Sequence, residues 1–278
     1  MAQKALIKSR IKSVATTKKI TRAMELMANV KLQKQLNQLN KNRQYFNTMY
    51  ETMSRILTSD IDIENSYLTK KDNTKKIVFV FCSDIGLCGG YNSNLIKYFE
   101  ANYSKEDELI VIGSSKYKYF NENYNVYNDL IYSDELTYNE LKIKADYAID
   151  KFKNNEIGEI DVVYTDFVNN VTFNPTSKVV LPCDKNEFIT ANNNQELLLE
   201  PNANDILNHL IPMYVENFVY AKFLEAKTSE QGARRFAMQN ATDNAEELTE
   251  ELLLAYNQAR QAAITQEINE IVGGAEAL

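Results

Sequence analysis

Tryptophan is absent from this 278-residue chain, histidine occurs once, and cysteine three times. A lone histidine, His209, cannot build a multi-histidine metal site. Its simplest reading is a helix-surface residue. Cys82, Cys88 and Cys183 show neither a metal-ligand spacing nor an even disulfide set, so a reducing cytoplasm is expected. No apolar run approaches the ~18 residues of a membrane span. The opening residues, MAQKALIKSRIKSV, lack the continuous apolar stretch of a secretory signal. Proline and glycine are also scarce, four and eight in all. No glycine precedes Gly86 and no proline precedes Pro175. After Pro212 there is no further proline, and only Gly232 interrupts the run before Gly273 and Gly274.

What remains when breakers are removed is helix. Residues 2–57 read as one long helix, with Ile7, Ile11, Val14, Met24, Met27, Leu32 and Leu36 recurring at spacings of three and four. Lys18 and Glu25 interrupt a strict heptad. The last stretch, residues 204–278, reads as a longer helix that Pro212 should kink or restart. At ~1.5 Å per residue, residues 213–272 alone would reach ~90 Å, too long to bury in an ordinary core. Met238, Ala241, Ala245, Leu248, Leu252, Ala255, Ala259 and Ala262 alternate spacings of three and four, the seam of a left-handed coiled coil. Many of these are alanine, so a partner helix can approach closely. The nearest candidate is residues 2–57, running antiparallel.

Between the helices the texture changes. KIVFVF (76–81), LIVIG (109–113), IDVVYTDF (160–167) and SKVVLP (177–182) read as buried strands. Residues 92–103, 114–121 and 134–153 read as helices. The alternation predicts an inserted α/β domain with a largely parallel, Rossmann-like sheet over residues 75–203. Residues 60–74 and 183–204 read as polar loops.

Charge is uneven. The net charge is -7, yet the first 50 residues hold eleven Lys/Arg against the single acid Glu25, so they carry +10 and the rest carries -17. Such an arm suits nucleic acid, an acidic protein surface, or simply a solvated helix face. Residues 83–94 (SDIGLCGGYNSN) form a glycine-rich turn between strand and helix. It lacks both phosphate-loop signatures. It reads as a tight connection needing positive φ, with a phosphate cradle as the alternative. Asp84 reads as a cap for the turn or its helix. Cys88 has no histidine near in sequence to activate it. No serine triad, carboxylate pair or metal box assembles, so no catalytic or metal residue is expected.

Three stretches carry a family resemblance. IKSRIKSVATTKKITRAMELMANVKLQK (7–34), SDIGLCGGYNSNL (83–95) and residues 230–275, with AMQNATDN followed by YNQARQAAITQEI, resemble the γ subunits of bacterial F-type ATP synthases. The likeness spans essentially the whole chain. It implies a central rotor stalk: two terminal helices coiled together inside a hexamer of α and β subunits, and an α/β foot touching ε and the c ring. Proton (or sodium) flow would turn the shaft and change each β site in sequence. The resemblance implies no cofactor, no catalytic nucleotide site, no nucleic acid, and contact with membrane only through the complex, on the cytoplasmic face of a bacterial cell. Matched by motif, Lys19, Arg22, Met24 and Glu25 would meet a β lever. Arg234, Gln261, Thr265 and Glu267 would engage the hexamer's loops. The chain departs from the family pattern at Arg235, where methionine is common, and at Tyr91, where phenylalanine is common. Pro182-Cys183 replaces a proline-leucine strand end, and Leu199-Glu200-Pro201 matches the family's foot segment only loosely. The chloroplast dithiol insertion is absent. The other readings are a γ-like rotor of a divergent ATP-hydrolysing machine, an α/β nucleotide enzyme with a helical arm, and a nucleic-acid-binding arm over residues 4–43.

Overall fold

The structure is a computed structural model that describes residues 2–59, 63–169, 172–188 and 199–276. It resolves into two compact units. One comprises Met1–Asn29 with Arg234–Leu278, the other Val30–Ala233. The division falls inside the two longest helices, α1 (Ala2–Leu57) and α5 (Ala203–Glu276).

The 30–233 unit is built on a five-stranded sheet. Its strands are β1 (Lys76–Phe81), β2 (Glu108–Ile112), β3 (Asn125–Val126), β4 (Glu159–Phe167) and β5 (Phe173–Leu181). Their spatial order is β3-β2-β1-β4-β5. The first four are parallel, with Val78 opposite both Leu109 and Asp161. A central strand such as KIVFVF is buried along nearly its whole length because both sheet faces are covered. One face packs Val78, Val80, Leu109, Val111 and Val163 under Leu95 and Phe99 of α2 (Tyr91–Asn102) and Phe120 of α3 (Tyr117–Asn123). The other packs Ile77, Phe79, Phe81, Ile110 and Val162 under Ala145, Ile149 and Phe152 of α4 (Tyr138–Lys153). Met49, Met53 and Ile56 of α1 and Leu207, Ile211, Val215 and Val219 of α5 join that second core.

Several sequence boundaries move. β5 begins at Phe173, not at 177, and runs antiparallel to β4. Its Pro175 is tolerated because β5 is an edge strand, where a missing N–H need not break the ladder. β3, only two residues long, carried no sequence signal. The expected helix at 134 starts instead at Tyr138, where Thr137 and Glu140 form a capping box. The residues before it are committed elsewhere: the N–H groups of Ser133 and Asp134 donate to the Asp84 carboxylate at 3.0 and 2.9 Å. Just past β3, the Asn128 side chain donates to the carbonyl of Val111 and accepts from its N–H, both at 2.8 Å. Its carboxamide thus takes the place of a backbone partner at the sheet edge. Gly113 closes β2 with φ +108°, and a Cβ there would lie 2.2 Å from the Cys82 carbonyl.

Pro212 neither starts nor restarts the last helix. α5 begins at Ala203 and passes through it. A mid-helix proline costs about 3 kcal/mol, which the burial of Leu207, Ile211, Tyr214 and Val215 around it offsets. Gly232, Gly273 and Gly274 likewise lie within α5. At Gly232 the reason is packing: a Cβ would come within 2.8 Å of the Phe173 ring.

In the other unit α1 and α5 pair directly. Lys18 Nζ lies 2.8 Å from Glu246, and the Thr242 hydroxyl donates to Thr21 at 2.8 Å. Moving up α1 from 18 to 21 moves down α5 from 246 to 242, so the pair is antiparallel.

Candidate interaction surface

The helix pair has a narrow interior. On α5, Met238 and Ala245 are buried, and Ala241, Leu248, Leu252, Ala255 and Ala259 are half-buried. Ala262 departs from the seam: it is exposed, and Ala263 is half-buried in its stead. A straight helix of 3.6 residues per turn drifts off a 3.5-residue repeat, which moves the inner position on by one. On α1, Thr21 and Ala28 are buried, and Ile7, Ile11, Val14 and Met24 are half-buried. Met27, assigned to the inner stripe by its spacing, is 60% exposed. Lys18 and Glu25 are half-buried on the inner stripe, Lys18 by reaching Glu246.

The motif residues scatter. Lys19 is exposed. Arg22 is exposed and holds both carboxylate oxygens of Glu25, at 2.8 and 3.0 Å, which draws the Glu25 carboxylate against the helix. Gln261 and Thr265 are exposed. The Glu267 side chain lies outside the described residues. Arg234 is buried at 8% exposure, which leaves little of it for another chain. Exposed apolar residues stand outside the matched motif positions: Ile20, Leu26 and Met27 on α1, and Leu253, Leu254, Ile264, Ile268 and Ile271 on α5. Apart from Met27, which its spacing puts on the inner stripe, their signal was present as apolar residues off the seam's period. Ile20 and Met27 stand seven apart and so share a face. Apolar side chains sharing one exposed face are candidates for contact with another chain.

The glycine-rich turn belongs to the 30–233 unit and is closed from within. Leu87 and Gly89 take positive φ, at 60° and 59°. Asn92 folds back to accept from the Ser83 N–H at 3.1 Å and donates to the hydroxyls of Ser83 at 2.6 Å and Ser115 at 3.1 Å. Those amide and hydroxyl groups are therefore spent inside the turn. The Tyr91 hydroxyl donates to the Ala226 carbonyl at 3.1 Å, tying α2 to α5. Burial pushes the Cys82 thiol far above the usual thiol range and Cys183 up to about 12, which keeps both protonated and poorly nucleophilic.

Asp84 caps neither the turn nor α2. It accepts from the N–H groups of Ser114 and Ser133 at 3.0 Å and of Asp134 at 2.9 Å, and from the Ser133 hydroxyl at 2.9 Å. Burial opposes its ionisation, but those donors outweigh it and hold the carboxyl below its usual range. Asp161, on β4, is the opposite case. Burial, and then the neighbouring Glu159, push its carboxyl up to about 7, against the pull of Lys76. Among the described residues no group of three His, Cys, Asp or Glu could hold a metal ion. None of their helices is long and apolar enough to cross a membrane.

A small α/β sheet unit with an antiparallel pair formed by the two chain ends defines the rotor-stalk class of protein. Comparison with known proteins agrees. A family model described as ATP synthase matches residues 3–278. The ATP synthase gamma chain of Ruminiclostridium cellulolyticum is 38% identical, covering 98% of this chain and 97% of that protein. The gamma chain of Acetobacterium woodii, named as sodium ion specific, is 37% identical over the same shares. In fold, the chain resembles a chain of the Euglena gracilis mitochondrial ATP synthase rotor, with TM-score 0.65 and 14% identity, covering 95% of this chain and 99% of that one. The chain belongs to the ATP synthase γ-chain family.

Proposed function

We propose that this chain is the rotating central shaft of a membrane ATP synthase, without a catalytic site of its own. The observation that carries the reading is the antiparallel pair itself. Small residues bring the two helices together, and their outer faces carry exposed apolar and basic residues. In the assembled enzyme those faces turn against the α and β subunits, while the sheet unit meets the c ring and ε on the cytoplasmic side. Ion flow drives the turning, and each β site passes through its states as the asymmetric shaft goes by.

Rotation needs contacts that are weak and repeatable, because a strongly favoured angle would be a trap. Exposed ion pairs of ~0–1 kcal/mol meet that need. Lys19, Arg22, Gln261 and Thr265 have the exposure for this role. Met24 and Glu25 support it from the half-buried inner stripe, while Arg234 and Glu267 stand on the motif alone. The basic arm is matched to acidic protein loops rather than to nucleic acid. Co-expressed with its α and β chains, the protein should elute with them, and Arg22→Glu should slow ATP turnover several-fold while leaving assembly intact. Recovery only as a free monomer under mild extraction would sink the reading.

A further inference from the structure

One short segment joins the sheet to both long helices within the 30–233 unit. Ser133 and Asp134 lie between β3 and α4. Their backbone N–H groups and the Ser133 hydroxyl are held by Asp84, just past the carboxyl end of β1. Asp84 also takes the N–H of Ser114, just past the end of β2. The Asp134 carboxylate then faces both helices. Oδ1 accepts from Lys227 of α5, and Oδ2 accepts from Lys31 of α1 at 3.1 Å. Lys227 is only 4% exposed and donates as well to the Ser133 hydroxyl at 3.0 Å. Its other carboxylate neighbour, Glu230, is 3.8 Å away. Every member of this chain of contacts lies in one compact unit.

From that geometry we infer that Asp134 is a torque-bearing strap, a positioning residue that fixes α1 and α5 against twisting relative to the sheet. The inference rests on the rotor reading. Close-packed side chains beneath the helices already resist sliding, and directional contacts add a restoring force that the non-directional hydrophobic effect does not supply. Charge-assisted hydrogen bonds are the stronger kind, and here one carboxylate makes them to both helices from a backbone pinned to the central strands. The Lys227 end is buried and so poorly screened, while the Lys31 end is open to salt. Other attachments remain without it, among them the Tyr91–Ala226 bond and the Lys142–Glu216 pair at 2.5 Å. Loss of the strap should therefore soften the unit rather than unfold it.

The test uses the assembled synthase carrying Asp134→Asn, Asp134→Glu or Lys31→Ala. The readouts are the torsional stiffness of the rotor, from the thermal fluctuation of a bead attached to it, and ions pumped per ATP hydrolysed. Asp134→Asn should measurably lower the stiffness, while the pumping ratio, which is set by the angle turned and not by stiffness, stays at the parent value and assembly and hydrolysis stay within two-fold of it. Asp134→Glu should recover most of the loss. Lys31→Ala should give a smaller loss, and high salt should abolish its difference from the parent. Unchanged stiffness in an assembled Asp134→Asn enzyme overturns the strap. If that variant fails to assemble, unchanged stiffness in Lys31→Ala overturns it instead. A parent chain that never joins α and β overturns the rotor reading, and the strap's role with it.

Discussion

The two compact units are stabilised in different ways. The 30–233 unit buries Phe79, Phe81, Phe99, Phe120 and Phe152 completely, on both sides of a sheet. The unit of 1–29 with 234–278 has only Ala28, Met238 and Ala245 as buried apolar residues among those described, with Thr21 and Thr242 beside them. Burial stabilises by roughly 25 cal/mol per Å², so the first is an ordinary domain core and the second is a thin seam. A thin seam between long helices leaves most side chains outward. That is what a part needs when it works by touching other chains.

The comparison can be broken by substitutions of decreasing effect. Phe99 is fully buried, with ring centroids of Tyr103, Phe120 and Tyr124 4.9, 5.2 and 5.1 Å away. Phe99→Ala should cost about 3–5 kcal/mol in the denaturant unfolding of the 30–233 unit. A cost under 1 kcal/mol would mean that this unit lacks the tight core described. Ala245→Leu tests the seam by overfilling it, at a cost of about 1–3 kcal/mol. It should appear as faster amide exchange along residues 238–252 with no change in the sheet. Unchanged exchange would show that the helices are not closely apposed at this alanine.

Asp161 gives the smallest and most pH-dependent effect. Its folded carboxyl titrates about 7, above its unfolded value of 3.8, so the folded state is the one that holds the proton. Stability should then fall as pH rises from about 4 to 7 and level off above that range. Asp161→Asn, which keeps an acceptor for the Tyr103 hydroxyl (3.0 Å), should be the more stable by about 1–2 kcal/mol at pH 8. The two proteins should converge near pH 4. Parallel stability curves across that range would refute the buried-acid assignment.

Much of this fold was legible in the chain. The paucity of breakers gave both long helices, and the β-branched runs gave four of the five strands. Spacing gave most of the seam. The expectation that Pro212 would restart the helix failed because local propensity knows nothing of Leu207 and Ile211 sinking into the sheet's core. β3 was hidden because it is only two residues long, with the Asn128 side chain standing in for strand backbone just beyond it. The true start of α4 was hidden because Asp84, far away in sequence, holds the N–H groups of Ser133 and Asp134. The candidate contact residues were legible by motif alone, and exposure separates them: Arg234 is buried, whereas Ile20, outside the matched motif positions, and Met27, expected inside, both point outward.

The sequence by itself determined the parts: helix where glycine and proline are missing, a parallel sheet where apolar runs alternate with helices, and a family signature at both ends. Those are consequences of backbone preference and hydrophobic period, which act over a few residues. Only the tertiary structure decided that Asp84 spans three loops rather than capping one, and that Asp134 holds Lys31 and Lys227 together. Lys31 and Asp134 are 103 positions apart in sequence. A contact at that separation is set by how the sheet closes, and no local pattern encodes it.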